Sequence, residues 1–279
     1  MQPIFEDAPA EALIDAPVAP ANDLPGNPTD ITAGGTFTED VRYAHDDNLP
    51  PLHGAGCGLP GGRDVYFSIT PTANEVYDID TFGSDYDTVI RVFHGLTCAA
   101  VAPQMQASCR NDECSGSQSQ YVGTIGPGDN CVVVDQSSGA ETNGQLVLNV
   151  EHAGRDGRRI TSGAMLTGNT CNTSNATSST VCGGGGNDDA FYWVGCPGVT
   201  SNVTATTCNA ATVFDTQVYA LGPGAIELGC NDNDAACTAT ATGASTMTAM
   251  FSDAHLFWVI VDSGAPATCG AYSVTFTVN

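Results

Sequence analysis

Acidic and amide side chains recur along this chain at matching places. Asp85, Asp87, Asn111, Asp112 and Asp135 are followed by Asp215, Asn231, Asp232, Asp234 and Asp262. Calcium takes six to eight oxygens from such carboxylates, amides and carbonyls. Two loops supplying Asp and Asn could build a site, and calcium is the cofactor they would hold. The competing reading is that these side chains bond their own backbone in turns. Neither an EF-hand loop nor a glycine-rich nonapeptide repeat is present. His45 and His53 flank Asp46 and Asp47 ahead of Cys57, types that suit a transition metal. Their spacing matches no ligand pattern, and Pro50 and Pro51 stiffen the segment, so an ordinary surface loop is expected.

Catalysis finds little support. There is no G-x-S-x-G elbow and no H-E-x-x-H. The absence of lysine removes Schiff-base and lysine-base mechanisms. Glycosidase chemistry needs only two carboxylates at a set separation, and 31 acids leave that open. The expectation is a non-enzyme. Tyr192, Trp193 and Trp258 could stack on a glycan. Tyr192 and Trp193 adjoin on a strand, however, so one faces the core and the other the exterior. Trp258 aligns with Cys131 at the start of a central strand, and core packing is the plainer expectation.

The elements that position these residues come as one β-rich unit written twice. ITAGGTFTED from Ile31 matches ITSGAMLTGN from Ile160, and Tyr86-Asp87-Thr88 matches Phe214-Asp215-Thr216. CRND from Cys109 matches CNDN from Cys230, and the V-V-V-D ending at Asp135 matches V-I-V-D ending at Asp262. The offsets of 129, 128, 121 and 127 residues run in unbroken order. Short strands are expected at residues 64–70, 75–80, 88–93, 131–135 and 145–150, then at 190–195, 202–207, 216–221, 256–262 and 272–278. Gly and Pro punctuate them, and no helical period is sustained, which predicts a sandwich. The domains read as 31–152 and 160–279. Residues 1–30, rich in Asp, Glu, Ala and Pro, read as an extended tail or linker. Residues 153–159, AGRDGRR, are a connector whose arginines could pair with flanking carboxylates or form an exposed hinge.

Charge and cysteine usage bound the setting. The net charge is -24, all seven basic residues are arginines, and none lies beyond Arg159. Such a chain repels nucleic acid and anionic lipid, which require clustered basic residues. Twelve cysteines form no CxxC, so zinc ribbons and thioredoxin-like sites are not expected. A disulfide framework in an oxidising compartment remains. Five cysteines fall in the first repeat and seven in the second, so either one bridge joins the repeats or two thiols are free. Cys171 with Cys182 is a local expectation. No basic-then-apolar signal opens the chain, which suggests that a native signal was removed. No apolar run is long enough for a membrane helix, so a lipid anchor would belong to that missing segment. The sequons at Asn172, Asn175 and Asn202 matter only in a eukaryotic secretory pathway.

The ordered motif set is an Asp before an aromatic strand (Asp64-Val-Tyr-Phe; Asp189-Ala-Phe-Tyr), then the FDT-like and CND-like motifs, the V-V-V-D strand and a final Gly before the last strand. This set resembles secreted bacterial β-sandwich modules of the pre-peptidase C-terminal type, found as repeats in myxobacterial surface proteins and lipoproteins. The resemblance covers both repeats. It implies two tandem antiparallel, jelly-roll-like sandwiches and an accessory, non-catalytic role. It also implies a bridge Cys98–Cys109 in the first repeat and Cys208–Cys237 in the second, with Cys114 and Cys230 left to other partners.

The reading is an all-β extracellular or cell-surface structural or adhesive protein, stabilised by disulfides and calcium. Its partner would be itself, in an oligomer or fibre, or a surface glycan or protein. Strand donation by residues 1–30 to a sandwich edge is one assembly route. The alternatives are a monomeric carbohydrate- or protein-binding module and an accessory fragment of a secreted hydrolase.

Overall fold

The computed structural model describes residues 18–47, 61–102, 108–238, 243–266 and 268–279. His53, Cys57 and tail residues 1–17 lie outside the described residues. The first repeat contributes β1 (Thr29–Asp30), β2 (Gly35–Asp40), β3 (Asp64–Ile69), β4 (Glu75–Asp80), β5 (Thr88–Phe93), β6 (Ser108–Asn111), β7 (Gln120–Ile125), β8 (Asn130–Gln136) and β9 (Gln145–His152). The second contributes β10 (Arg158–Arg159), β11 (Met165–Asn169), β12 (Asp189–Val194), β13 (Thr200–Thr206), β14 (Thr216–Leu221), β15 (Glu227–Asp232), β16 (Thr246–Ser252), β17 (Leu256–Ser263) and β18 (Ala271–Val278).

Each repeat is two sheets face to face. The first has orders β1-β3-β8-β5-β6 and β2-β9-β4-β7. The second repeats them as β10-β12-β17-β14-β15 and β11-β18-β13-β16. All pairings are antiparallel except the short β1–β3 and β10–β12 pairs, which are parallel. The all-β double sandwich is therefore as the sequence predicts.

Alternation builds the cores. In β9, Leu146, Leu148 and Val150 point inward and meet Val132 and Val134 of β8, Phe67 of β3 and Ile79 of β4. In the second repeat Phe191, Val218, Val259, Phe251 and Phe276 fill the same space. Each such side chain stabilises by roughly 1.5–3 kcal/mol on burial. Strand β8 is buried along its whole length. Its other face, Cys131 and Val133, lies under Leu96, Cys98 and Val101 of the segment that follows β5.

Composition assigns all of residues 1–30 to a tail, but residues from Pro20 onward belong to the first sandwich. Tyr66 N donates to Asn22 O at 2.9 Å and Asn22 Nδ2 donates to Tyr66 O at 3.2 Å. Residues 29–30 then pair with β3. The cause is that β3 would otherwise present an open edge, whose backbone groups need partners. The connector does the same for β12, with Arg158 and Arg159 in register with Phe191 and Tyr192. It is a docked strand rather than a free hinge.

The repeats pack on each other. Val76 and Val122, on the outer face of the β2-β9-β4-β7 sheet, join Tyr192, Tyr219, Leu221, Leu256, Trp258 and Ile260 of the second repeat in one buried cluster. Cys114 and Cys196 bridge the repeats covalently. Val76 N donates to Arg155 O at 2.9 Å, and Thr124 Oγ1 donates to Asp156 Oδ1 at 2.8 Å.

Candidate functional site

Two polar clusters occupy equivalent positions on the outer faces of the β1-β3-β8-β5-β6 and β10-β12-β17-β14-β15 sheets. In β5 a lone arginine interrupts an apolar strand. Arg91 faces Val133, two residues before Asp135 on β8, and Asp135 itself faces Asp64 on β3. The Arg91 guanidinium meets Asp135 at 2.8 Å, and both side chains are essentially unexposed (0% and 2%). Tyr66 hydrogen-bonds Asp64. Burial raises the Asp135 carboxyl well above the usual carboxylate range, and the Arg91 charge opposes this. A pair so deep is stable only as a pair, because either partner alone would be an uncompensated buried charge.

The second repeat keeps the carboxylates and changes the cation. Tyr219 faces Ile260, two residues before Asp262, so it stands where Arg91 stands. Gln217 faces Asp262 as Val89 faces Asp135. Asp188, one residue before β12, continues the register onto Asp262 and bonds it. Asp188 Oδ2 accepts from Ala176 N at 2.8 Å and Thr177 N at 2.7 Å. Asp262 Oδ1 accepts from Ser263 N at 2.6 Å. Burial, aided by the Asp188 charge, pushes the Asp262 carboxyl up to about 7.

Beside this cluster runs the seam between repeats. Arg155 stacks over Trp258, 5.5 Å from the ring centre. A cleft of about 400 Å³ lies there, lined by His152, Glu151, Arg155, Leu221, Leu256 and Trp258 among others. A second, of about 360 Å³, includes Asp80, Asn149, Glu151, Pro197 and His255. Glu151 crosses the seam: Oε1 meets His255 Nδ1 at 2.6 Å and Oε2 accepts from Leu256 N at 2.8 Å. Asp78 and Asp80 are buried on the same face. Burial raises Asp78 well above its ordinary range and Asp80 to about 6.

The acidic residues singled out in the sequence fall into three groups. Asp135 and Asp262 belong to the buried clusters. Asp85, Asn231 and Asp234 hold backbone: they accept from Gln145 N at 2.8 Å, Thr246 N at 3.0 Å and Ala236 N at 2.9 Å. The remainder gather where β6 and β15 end: Asn111 and Asp232 are the last residues of those strands, Asp87 lies in the field of Asp112 and Asp215 in the field of Asp232. Asn233 joins the second group, its Oδ1 packed with Asp215 against Gly243. Asp112 and Asn233 are both left-handed, at φ 59° and 70°. Asp87 Oδ1, Asn111 Oδ1 and Asp232 Oδ1 are buried without a hydrogen-bond partner. The types suit calcium. Yet no three His, Cys, Asp or Glu side chains converge on a metal position among the described residues. His45 pairs with Asp23 at 2.6 Å.

Tyr192 and Trp258 are buried in the seam, and Trp193 is half-buried against the second core. The missed residues are Asp188, Gln217, Tyr219 and Arg91. Arg91 left a legible signal, a single charge inside T-V-I-R-V-F. Gln217 and Tyr219 left one only by alignment with it.

Two pairings are corrected. Cys98 bonds Cys131, not Cys109, because the segment after β5 folds back over the sheet onto β8. Cys109 is bonded elsewhere. Cys171 bonds Cys269 rather than Cys182, since Asn169 faces Ala271 and the next antiparallel step brings 171 to 269. Cys182 then bonds Cys230. Cys208–Cys237 forms as expected. The odd count per repeat is resolved by Cys114–Cys196.

No protein-family model matches the chain, and no curated protein does. Among solved structures, the CUB1-EGF-CUB2 domains of rat MASP-1 match over 89% of this chain and 98% of that one, at 10% identity and a TM-score of 0.21. A likeness that loose carries no argument.

Proposed function

We propose that the chain is a non-catalytic extracellular or cell-surface module of structural or adhesive role, built from two repeats of the pre-peptidase C-terminal type. The observation that carries this is the junction. A disulfide, an apolar cluster and Glu151 together hold the sandwiches at one angle. Fixed geometry serves a load-bearing or spacing element. Five disulfides among the described residues suit an oxidising compartment. No described helix is long and apolar enough to cross a membrane.

Light scattering on the full chain, in calcium and again in EDTA, tests the assembly half of this reading. A polymer supports a fibre-like subunit. A monomer in both conditions overturns self-assembly. Small-angle scattering tests the other half, and two sandwiches that reorient freely with Cys114–Cys196 intact would overturn the rigid unit.

A second reading, a monomeric module for a neutral glycan or protein surface, is favoured by the outer face of the β11-β18-β13-β16 sheet. In a chain of net charge -24 that face carries no charged side chain. It presents Thr167, Thr204, Thr206, Thr246, Thr248, Thr275 and Thr277, with Met165 and Met250 exposed. Loss of surface binding on replacing Thr204 and Thr248 with Lys would support it, and unchanged binding would count against it.

A further inference from the structure

We propose that the second repeat binds a hard divalent cation, Ca²⁺ or Mg²⁺, between Asp188, Asp262, Gln217 and Tyr219, in the position where the first repeat holds the Arg91 guanidinium. This goes beyond the structural role above and stands or falls apart from it.

The argument rests on one position in two repeats. In the first, two carboxylates face each other across β3 and β8, and a buried guanidinium meets one of them at 2.8 Å. In the second, the two carboxylates remain and tyrosine replaces arginine. Asp262, Gln217 and Tyr219 have no exposed surface, and Asp188 is 7% exposed. Both polar atoms of Gln217 are buried with no hydrogen-bond partner. The Asp188 and Asp262 carboxyls bond each other, and Tyr219 Oη bonds Thr177.

The chemistry of these atoms selects a cation. One oxygen of each carboxylate accepts from backbone N–H. The two carboxyls meet in one buried site, and once both are ionised their charges face each other there. Buried charge needs a counter-charge or a metal. The candidate ligands are Asp188 Oδ1, Asp262 Oδ2, Gln217 Oε1 and Tyr219 Oη, an all-oxygen set of the kind hard cations prefer, with water or backbone carbonyls completing the six to eight positions.

The surroundings agree. Gly184, at φ +96°, passes so close that a side chain there would collide with Gln217 Oε1 and come within 3.1 Å of Asp262 Oδ2. The 182–186 loop, pinned by Cys182–Cys230, closes the site. Arg155 is the nearby cation in the field of Asp188. It stacks on Trp258 and forms no ion pair among the described residues.

The test is calorimetric titration of the metal-stripped full chain with CaCl₂ and separately MgCl₂ above pH 7.5, with melting followed in parallel. The wild type should bind, melt higher with metal, and show which ion is held more tightly. Asp262→Asn should lose one equivalent and most of that gain, whereas Asp85→Asn, in the first repeat, should keep this equivalent. Gln217→Val, which copies the first repeat's residue, should weaken the same equivalent by about 10–100-fold while leaving the fold intact. Tyr219→Arg should abolish it by supplying the guanidinium instead. The proposal is overturned if the stripped wild type binds neither ion. It is equally overturned if Asp262→Asn and Gln217→Val bind as many equivalents, as tightly, as the wild type. A melting point that rises on acidification and ignores both metals would assign the pair a shared proton and likewise end the proposal.

Discussion

The same sheet face is closed in two different ways in the two repeats. In the first, the chain covers its own face: Leu96, Cys98 and Val101 lie over Tyr66, Phe93 and Val133, and a disulfide ties Cys98 to Cys131. In the second, the residue at the Cys131 position is Trp258, and the cover is the neighbouring repeat, through Val76 and Val122. The buried carboxylates follow suit, with Arg91 below the self-made cover and Tyr219 below the borrowed one. One scaffold thus tolerates two solutions, provided that each closes its apolar area and answers its charges. A self-covered face is a property of one sandwich; a face covered by a neighbour makes two sandwiches one unit.

The sharpest way to break this comparison is at Arg91. Arg91→Met should cost about 3–5 kcal/mol, because Asp135 is left charged and buried. Tyr219→Phe, at the matching position in metal-free protein, should cost only about 1 kcal/mol, since one neutral hydrogen bond to Thr177 is lost. Urea titration of both variants measures the contrast, and equal losses would show that the two clusters are not different in kind.

Next is the covalent seam. The Cys114→Ser, Cys196→Ser double variant should lose about 2–4 kcal/mol and let the second repeat melt separately from the first. A single transition at the wild-type temperature would show that the apolar cluster alone couples them. Glu151→Gln is milder. It removes the charge that meets His255 and Leu256 N, with both side chains partly solvated, and should cost about 1 kcal/mol, read as earlier melting of the seam.

How much of this was legible depended on whether a feature is local. Strands such as β8 and β17 are nearly uniform apolar runs and announce themselves. Strands β1, β2, β6, β7, β10, β11, β15 and β16 are not predicted: β1 and β10 are two residues long, and in the others Thr, Gly and Asn on an exposed face hide the alternation, as in T-M-T-A-M-F-S. The buried clusters were half visible: Asp135 and Asp262 stood out by repetition, but Asp188, Gln217 and Tyr219 acquire meaning only once register sets them opposite. Disulfides ran the same way. Cys171–Cys269 spans 98 residues, and only the β11–β18 pairing brings those ends together.

The smallest expected effect is a slope. Asp262, up at about 7, and Asp80, at about 6, have folded values above their unfolded ones. Between about pH 4 and pH 7 the folded chain therefore holds protons that the unfolded chain has released. Their contribution is complete below about pH 4 and is lost as pH rises through 6 and 7. Denaturation midpoints in EDTA should fall over that window, and Asp262→Asn should flatten its upper end. A rise instead would mean that the carboxylates are better solvated or better paired than their burial implies.

The way the repeats meet has a directional consequence. The contact joins unlike faces, the β2-β9-β4-β7 type of one repeat to the β10-β12-β17-β14-β15 type of the next, so it has no twofold axis. A heterologous contact of this kind leads to a ring or an open row rather than a closed pair. The two faces outside the joint are therefore unlike: one is covered by the first repeat's own chain, and the other is the second repeat's threonine-lined sheet. The molecule is thus polar in the sense that a row of bricks is polar, with a different face at each end.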